Sequence, residues 1–185
     1  IANIEKGELL EDCGLFEEHN QGNGSIMRCA PIALVPDITD DEIASQARLT
    51  HGHPMCVRTD TCFVTLLRYV LGGNDPEKFD IIHFFNDDDA QRYLKTCTSL
   101  KWDEVPNSGW CVDSLGIALW ALHNYDNFED AILAVINRGD DADTGGAVAG
   151  ALLGAYYGYE AIPKRWVDEL ESADEIKSLL AELDK

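Results

Sequence analysis

Residues 137–158 read NRGDDADTGGAVAGALLGAYYG, a knot of acids that runs into small and apolar residues. From Gly145 to Tyr159 there is no charge, and Gly146, Gly150, Gly154 and Gly158 recur at every fourth position beside Ala147, Ala151 and Ala155. That spacing gathers the small residues on one face of a helix. Glycine costs a helix about 1 kcal/mol relative to alanine, so this repetition predicts the close approach of another backbone. The run is shorter than the roughly 20 residues needed to cross a bilayer. It therefore reads as a closely packed core helix.

The acids ahead of it carry the chemistry. Asp140, Asp141 and Asp143 crowd together after Gly139, with Thr144 next. Carboxylates that close repel one another unless water or a cation separates them. Alternate residues of an extended loop point the same way, so Asp141 and Asp143 would grip one ion, with Thr144 adding a hydroxyl. Oxygen-only ligation favours magnesium, manganese or calcium over zinc. The other reading is a solvated acidic turn in which Asp143 or Thr144 caps the following helix.

A chain of 185 residues with 45% hydrophobic content has enough apolar material for one domain around a sizeable core. Its 34 acidic and 14 basic residues give a net charge of −20, which opposes binding to a nucleic-acid backbone or an anionic membrane. Cys13, Cys29, Cys56, Cys62, Cys97 and Cys111 are scattered without a C-x-x-C pair, which predicts reduced thiols and a cytoplasmic setting. No signal peptide, transit sequence or transmembrane run is visible. The chain opens at Ile1 without a methionine, so a fragment or a processed piece of something longer is expected.

Residues 1–18 mix Ile4, Leu9, Leu10, Leu15 and Phe16 with acids, predicting a short helix and a turn at Gly14. Gly22, Asn23, Gly24 and Ser25 then form a turn before an apolar stretch that Pro31 would kink or end. Such a turn can aim backbone N–H groups at phosphate oxygens, though an Asn-Gly pair is first of all a tight turn. Thr39 and Glu42 spell a capping box, which assigns Thr39-Asp40-Asp41 to a helix start rather than to a metal motif. His51 and His53 have too few ligands nearby for zinc, and His51 reads as a hydrogen-bond donor near a helix end.

Phe63, Leu66, Leu67 and Val70 predict a helix running to Gly72-Gly73, with Thr59-Asp60-Thr61 at or near its start. Asn86 to Asp89 is an acidic turn before a short helix with Tyr93 and Leu94. Ser108-Gly109-Trp110 breaks the chain before Val112, Leu115, Leu119 and Leu122, and Trp110 either stacks a base or fills the core. Asn127 caps a helix with Phe128, Ile132, Val135 and Ile136. Pro163 starts another, and Ser172 with Glu175 makes a second capping box ahead of Ile176, Leu179, Leu180 and Leu183. No segment alternates as a strand does. The fold class is all-α, with seven or eight helices.

Four stretches, GNGSIMRCAPIAL, LTHGHP, SGWCVDSLGIALWAL and NRGDDADTGGAVAGALLGAYYG, together resemble the ADP-ribosylglycohydrolase family in its order and spacing. The resemblance covers most of the chain. It implies an all-helical fold, a site for two magnesium ions (or manganese), and hydrolysis of the bond joining ADP-ribose to a protein side chain or in a small ADP-ribose conjugate. Carried over residue by residue, Asp141, Asp143 and Thr144 match metal ligands, and Asp143 and Asp141 would serve catalysis through the metal. Asn23, Gly24 and Ser25 match a phosphate-contacting loop, His51 a histidine on the ribose or phosphate side, and Ser108, Gly109 and Trp110 a segment near the adenosine. The family's early Gly-rich helix and Thr-Asp-Asp motif find no match, since Thr39-Asp40-Asp41 follows the GNG loop instead of preceding it. The resemblance thus implies the C-terminal part of the family domain, without its N-terminal helices and half of the metal shell. The alternatives are a split enzyme completed by a separate N-terminal fragment, and a non-catalytic ADP-ribose-binding or structural relative.

Overall fold

The computed structural model describes residues 5–7 and 13–183. Ile4, Leu9 and Leu10 of the expected N-terminal helix lie outside the described residues. Among the described residues nine α-helices succeed one another with short 3-10 turns between them, and the extended pairing consists of two isolated bridges. No described helix is long and apolar enough to cross a membrane.

The first helix, α1 (Ile26–Cys29), gives way to a 3-10 turn over Ala30–Leu34 at Pro31, which has no N–H to continue an α ladder. The capping box forms as read: the Glu42 N–H donates to Thr39 Oγ1 at 3.3 Å and the Thr39 N–H to Glu42 Oε2 at 2.8 Å. It opens α2 (Asp40–Arg48), which buries Ile43 and Ala47. His53 caps α3 (Pro54–Leu71), accepting the Met55 N–H at 3.1 Å. Because Pro54 occupies the first turn, α3 starts earlier than its apolar spacing suggests. Thr59-Asp60-Thr61 is therefore inside the helix and not at its start, with Thr59 and Asp60 fully buried.

Asp87 caps α4 (Asp88–Thr96), α5 (Cys111–Asn124) follows Trp110, and Asn127 caps α6 (Phe128–Asn137). The small-residue segment forms α7 (Ala142–Tyr157), packed along α5 and α6. Val148, Ala149, Leu152 and Leu153 enter the core, where they join Phe63 and Leu66 of α3 and Leu115 of α5. Each of the larger of these side chains, from valine upwards, contributes about 2 kcal/mol on burial.

The glycines of α7 do not do what their spacing suggests. A Cβ at Gly146 would lie 4.0 Å from an Ile136 methyl, one at Gly150 3.7 Å from Ile132, and one at Gly154 would meet nothing within 4 Å. No backbone presses on that face among the described residues. The tight contact is at Gly145, where a Cβ would fall 2.3 Å from Asn107 Oδ1. Gly158, at φ 82°, ends the helix in a conformation that favours glycine.

Two short helices complete the chain, α8 (Lys164–Asp168) and α9 (Ala173–Leu183). Ser172 has a left-handed backbone, φ 57°, so it lacks the extended geometry of a capping-box residue. Ile176, Leu179 and Leu180 are exposed.

Candidate active site

Three distant stretches of sequence are laced together around the start of α7. The loop before α1 pairs with the segment before α5: the Asn23 N–H donates to the Gly109 carbonyl at 3.1 Å, and the Cys111 N–H to the Gln21 carbonyl at 3.1 Å. These bonds flank an isolated antiparallel bridge between Gly22 and Trp110. The Trp110 indole N–H donates to Gln21 Oε1 at 2.9 Å, and its ring is half-buried against the core. Trp110 is thus pinned at one edge, between the base-stacking and core-filling roles that its sequence position allows. The acidic turn then docks on the same segment, with the Asp141 N–H on the Asn107 carbonyl at 2.9 Å and Asn107 Nδ2 on the Gly139 carbonyl at 2.8 Å.

Asn23 closes the arrangement. Its amide Nδ2 donates to Asp141 Oδ2 at 2.6 Å and to Ser114 Oγ at 2.9 Å, with the Ser108 carbonyl at 3.4 Å. Asn23 and Ser114 are buried, Asp141 half so. A hydrogen bond to an ionised acceptor is stronger than a neutral one. This one spans 118 residues of sequence. Gly109 lies beside it, a Cβ there being 4.0 Å from Asp141 Oδ2. Ser108 faces the other way, its hydroxyl donating to Asp113 Oδ2 at 2.5 Å and accepting the Trp110 N–H at 3.2 Å.

The acids themselves are arranged as a helix start, not as an extended loop. Gly139 and Asp140 both have left-handed backbones, φ 78° and 53°, which turns the chain sharply into α7. Asp141 is the N-cap residue, without a capping side-chain bond, and Asp143 and Thr144 belong to the first turn. Capping by Asp143 or Thr144 is therefore not what the turn provides. Asp143 is exposed, whereas Thr144 is buried with its hydroxyl 3.8 Å from Met27 Sδ. The helix's positive end favours anionic groups here.

His51 packs over the loop. A Cβ at Gly24 would sit 2.8 Å from its ring carbon Cε1, so glycine is what lets the imidazole lie there. The ring's Nδ1 is 2.7 Å from Thr50 Oγ1, and burial and the Arg28 charge both lower its pKa. His51 is accordingly neutral at neutral pH.

Ser25 is fully buried and its hydroxyl donates inward to Asp60 Oδ1 at 3.1 Å. What this residue can offer a ligand is its backbone. Asp60, Asn107 and Asp113 are the residues that sequence reading passes over. Asp60 is hidden by the early start of α3, and burial raises its pKa to about 7. Burial also raises that of Asp113. Asn107 lies just before the Ser108-Gly109-Trp110 break, and its buried Oδ1 has no hydrogen-bond partner.

The oxygen donors at the start of α7 suit a hard cation in kind. In number they fall short of a complete shell: Asp141, Asp143 and Thr144 supply two carboxylates and a hydroxyl, and one carboxylate oxygen already accepts from Asn23. Among the described residues no group of three or more His, Cys, Asp or Glu side chains is placed to hold a metal ion.

Fold and site together define an all-α domain in which a glycine-rich loop, a histidine and an acidic helix start meet at one place. The sequence profile of the ADP-ribosylglycohydrolase family matches residues 2–185. ADP-ribosylarginine hydrolase Tri1 from Serratia proteamaculans is 34% identical over 180 residues, covering 92% of this chain and 48% of that protein. ADP-ribosyl-[dinitrogen reductase] glycohydrolase from Rhodospirillum rubrum is 30% identical over 165 residues, covering 84% of this chain and 53% of that protein. A solved structure described as an ADP-ribosylglycohydrolase-related protein complex superposes with a TM-score of 0.80 at 31% identity, over 98% of this chain and 65% of the other. The chain belongs to the ADP-ribosylglycohydrolase family. It spans about half the length of the two named relatives.

Proposed function

We propose that this chain is the part of a metal-dependent ADP-ribosyl hydrolase that carries the phosphate-side loop, the adenosine-side segment and part of the metal shell. The observation that supports this most is the Asn23–Asp141 hydrogen bond, because it brings the loop to the residues suited to a metal. The substrate class is ADP-ribose on a protein side chain, arginine above all, given the named activity of the Serratia relative; small ADP-ribose conjugates fit the same chemistry. The reduced state of the buried thiols Cys29, Cys56, Cys62, Cys97 and Cys111 suits the cytoplasm.

In this proposal Asp141, Asp143 and Thr144 hold magnesium (or manganese), with the remaining ligands of two ions supplied from outside this sequence, in one longer chain or in a separate N-terminal fragment. Held there, a divalent cation would supply the acidity that makes water a nucleophile towards the anomeric carbon of a glycosidic bond. The chain's own residues do the rest. Backbone groups of Gly24 and Ser25 receive the diphosphate, neutral His51 donates a hydrogen bond, and Trp110 offers an aromatic edge to the adenosine. Asn23 fixes the Asp141 carboxylate against the loop.

A second reading, an ADP-ribose-binding relative without turnover, is favoured by the small number of metal ligands among the described residues. Release of free ADP-ribose from an ADP-ribosylarginine protein separates the two. The chain is tested alone and with the N-terminal segment of a full-length relative, in magnesium and in a chelator. Magnesium-dependent release that Asp143→Asn abolishes is the expected result with the segment present. Binding of ADP-ribose without release under every condition would establish the second reading.

A further inference from the structure

Asp60 is fully buried in α3 and has no ion-pair partner among the described residues. A carboxylate so placed is costly, and aspartate is rarely found there unless something holds it. Two donors do. Ser25 Oγ lies 3.1 Å from Oδ1, and Gln46 Nε2 on α2 lies 2.6 Å from Oδ2. Gln46 in turn receives Arg28, through Nε on its Oε1 at 3.3 Å and through Nη2 on its main-chain carbonyl at 3.1 Å. The same guanidinium reaches the Gly24 carbonyl at 3.4 Å and Thr50 Oγ1 at 2.7 Å, next to His51. Ser25 follows Gly24 in the chain, so these bonds close a circuit from Asp60 through Ser25, Gly24, Arg28 and Gln46 back to Asp60.

We infer that Asp60 is the positioning residue of this site: its buried carboxyl group holds Ser25 and, through Gln46 and Arg28, the Gly24 loop and the Thr50–His51 pair in the arrangement that presents them to a diphosphate. The inference rests on the proposed role of the loop as the phosphate-side contact. Asp60 touches no ligand itself.

The circuit tolerates a proton on Asp60. A protonated carboxyl donates to Ser25 Oγ while its carbonyl oxygen still accepts from Gln46. An asparagine at this position can repeat that pattern, its Nδ2 donating to Ser25 Oγ while its Oδ1 accepts from Gln46 Nε2, so it stands in for the protonated carboxyl and cannot ionise, whereas a leucine makes neither bond. The charged or titratable groups facing Asp60 are Arg28 and Cys29 of α1 and Cys111 of α5. Both thiols stay protonated through neutral pH, Cys29 by burial and Cys111 first by its hydrogen bond with Cys56. Asp60, raised from 3.8 to about 7, is the group that titrates there. Its folded form keeps a proton that the hydrated form has lost, so the closed circuit is favoured at low pH and weakens as pH rises towards about 7.

The test is amide hydrogen exchange of the 185-residue chain at pH 6 and pH 8, corrected for intrinsic rates, with calorimetric titration of ADP-ribose under the same conditions. In Asp60→Leu, protection at residues 22–25 and 50–51 should fall about tenfold at pH 6 while α5 and α7 keep theirs. ADP-ribose affinity should weaken about tenfold with it. The wild type should lose loop protection between pH 6 and pH 8, and Asp60→Asn, which cannot ionise, should keep it at both. Gln46→Leu, at a half-buried site, should loosen the same segments without touching Asp60 itself. Wild-type protection of the loop in Asp60→Leu and Gln46→Leu would overturn the inference, and so would an equal loss across α5 and α7. If the wild type takes up no ADP-ribose, the proposed function falls, while the exchange data still decide the role of Asp60.

Discussion

The two sides of the site are built on opposite plans. On the loop side every polar side chain is committed: Asn23 to Asp141 and Ser114, Ser25 to Asp60, Arg28 to Gly24, Gln46 and Thr50. On the acidic side Asp143 is exposed, Asp140 is exposed, and the Asn23 amide takes one oxygen of the half-buried Asp141 carboxylate. A site that must receive a diphosphate needs backbone held rigid, which buried hydrogen bonds supply. A site that must receive a cation needs carboxylates left accessible. The difference separates residues that shape the site from residues that face its ligands.

Substitutions on the two sides should therefore fall into different classes, and stability is the readout that sorts them. The largest effect is expected at Gly145→Ala, because the new methyl would overlap Asn107 Oδ1, and that buried side chain is anchored on Gly139. Chemical denaturation should show a loss of about 3 kcal/mol. Asn23→Ala comes next, at about 2 kcal/mol, since it strips buried partners from Ser114 and Asp141. Asp143→Asn should change stability by less than about 1 kcal/mol, being an exposed first-turn residue. It should nevertheless abolish magnesium-dependent activity in the completed enzyme. If Asp143→Asn destabilises as much as Asn23→Ala, the division between shaping and facing residues is wrong.

Local chemistry made much of this legible. The Thr39–Glu42 capping box, the Asn127 cap, the break at Ser108-Gly109-Trp110 and the spacing of Phe63, Leu66, Leu67 and Val70 are statements about adjacent residues, and they are met in the structure. The motifs quoted for the family resemblance do converge in space. Illegible were the features that depend on partners far away in the chain. Gly145 matters because Asn107 reaches it, and nothing in the glycine spacing distinguishes it from Gly146. Asp60 looked like a helix start because its flanking threonines are good caps, and Pro54 had already begun the helix. The inward turn of Ser25 follows from Asp60 and was hidden with it. Ile176, Leu179 and Leu180 show that helical spacing names a face without saying that anything covers it.

In the function proposed above, the glycine loop, the Trp110 segment and the start of α7 form one receptor for ADP-ribose. The most direct measurement is a chemical-shift map of the labelled chain titrated with ADP-ribose in magnesium. The amides of residues 22–25, Trp110 and residues 142–144 should shift together along one saturation curve. Shifts confined to another face of the molecule, or no shift at saturating ligand, would contradict it.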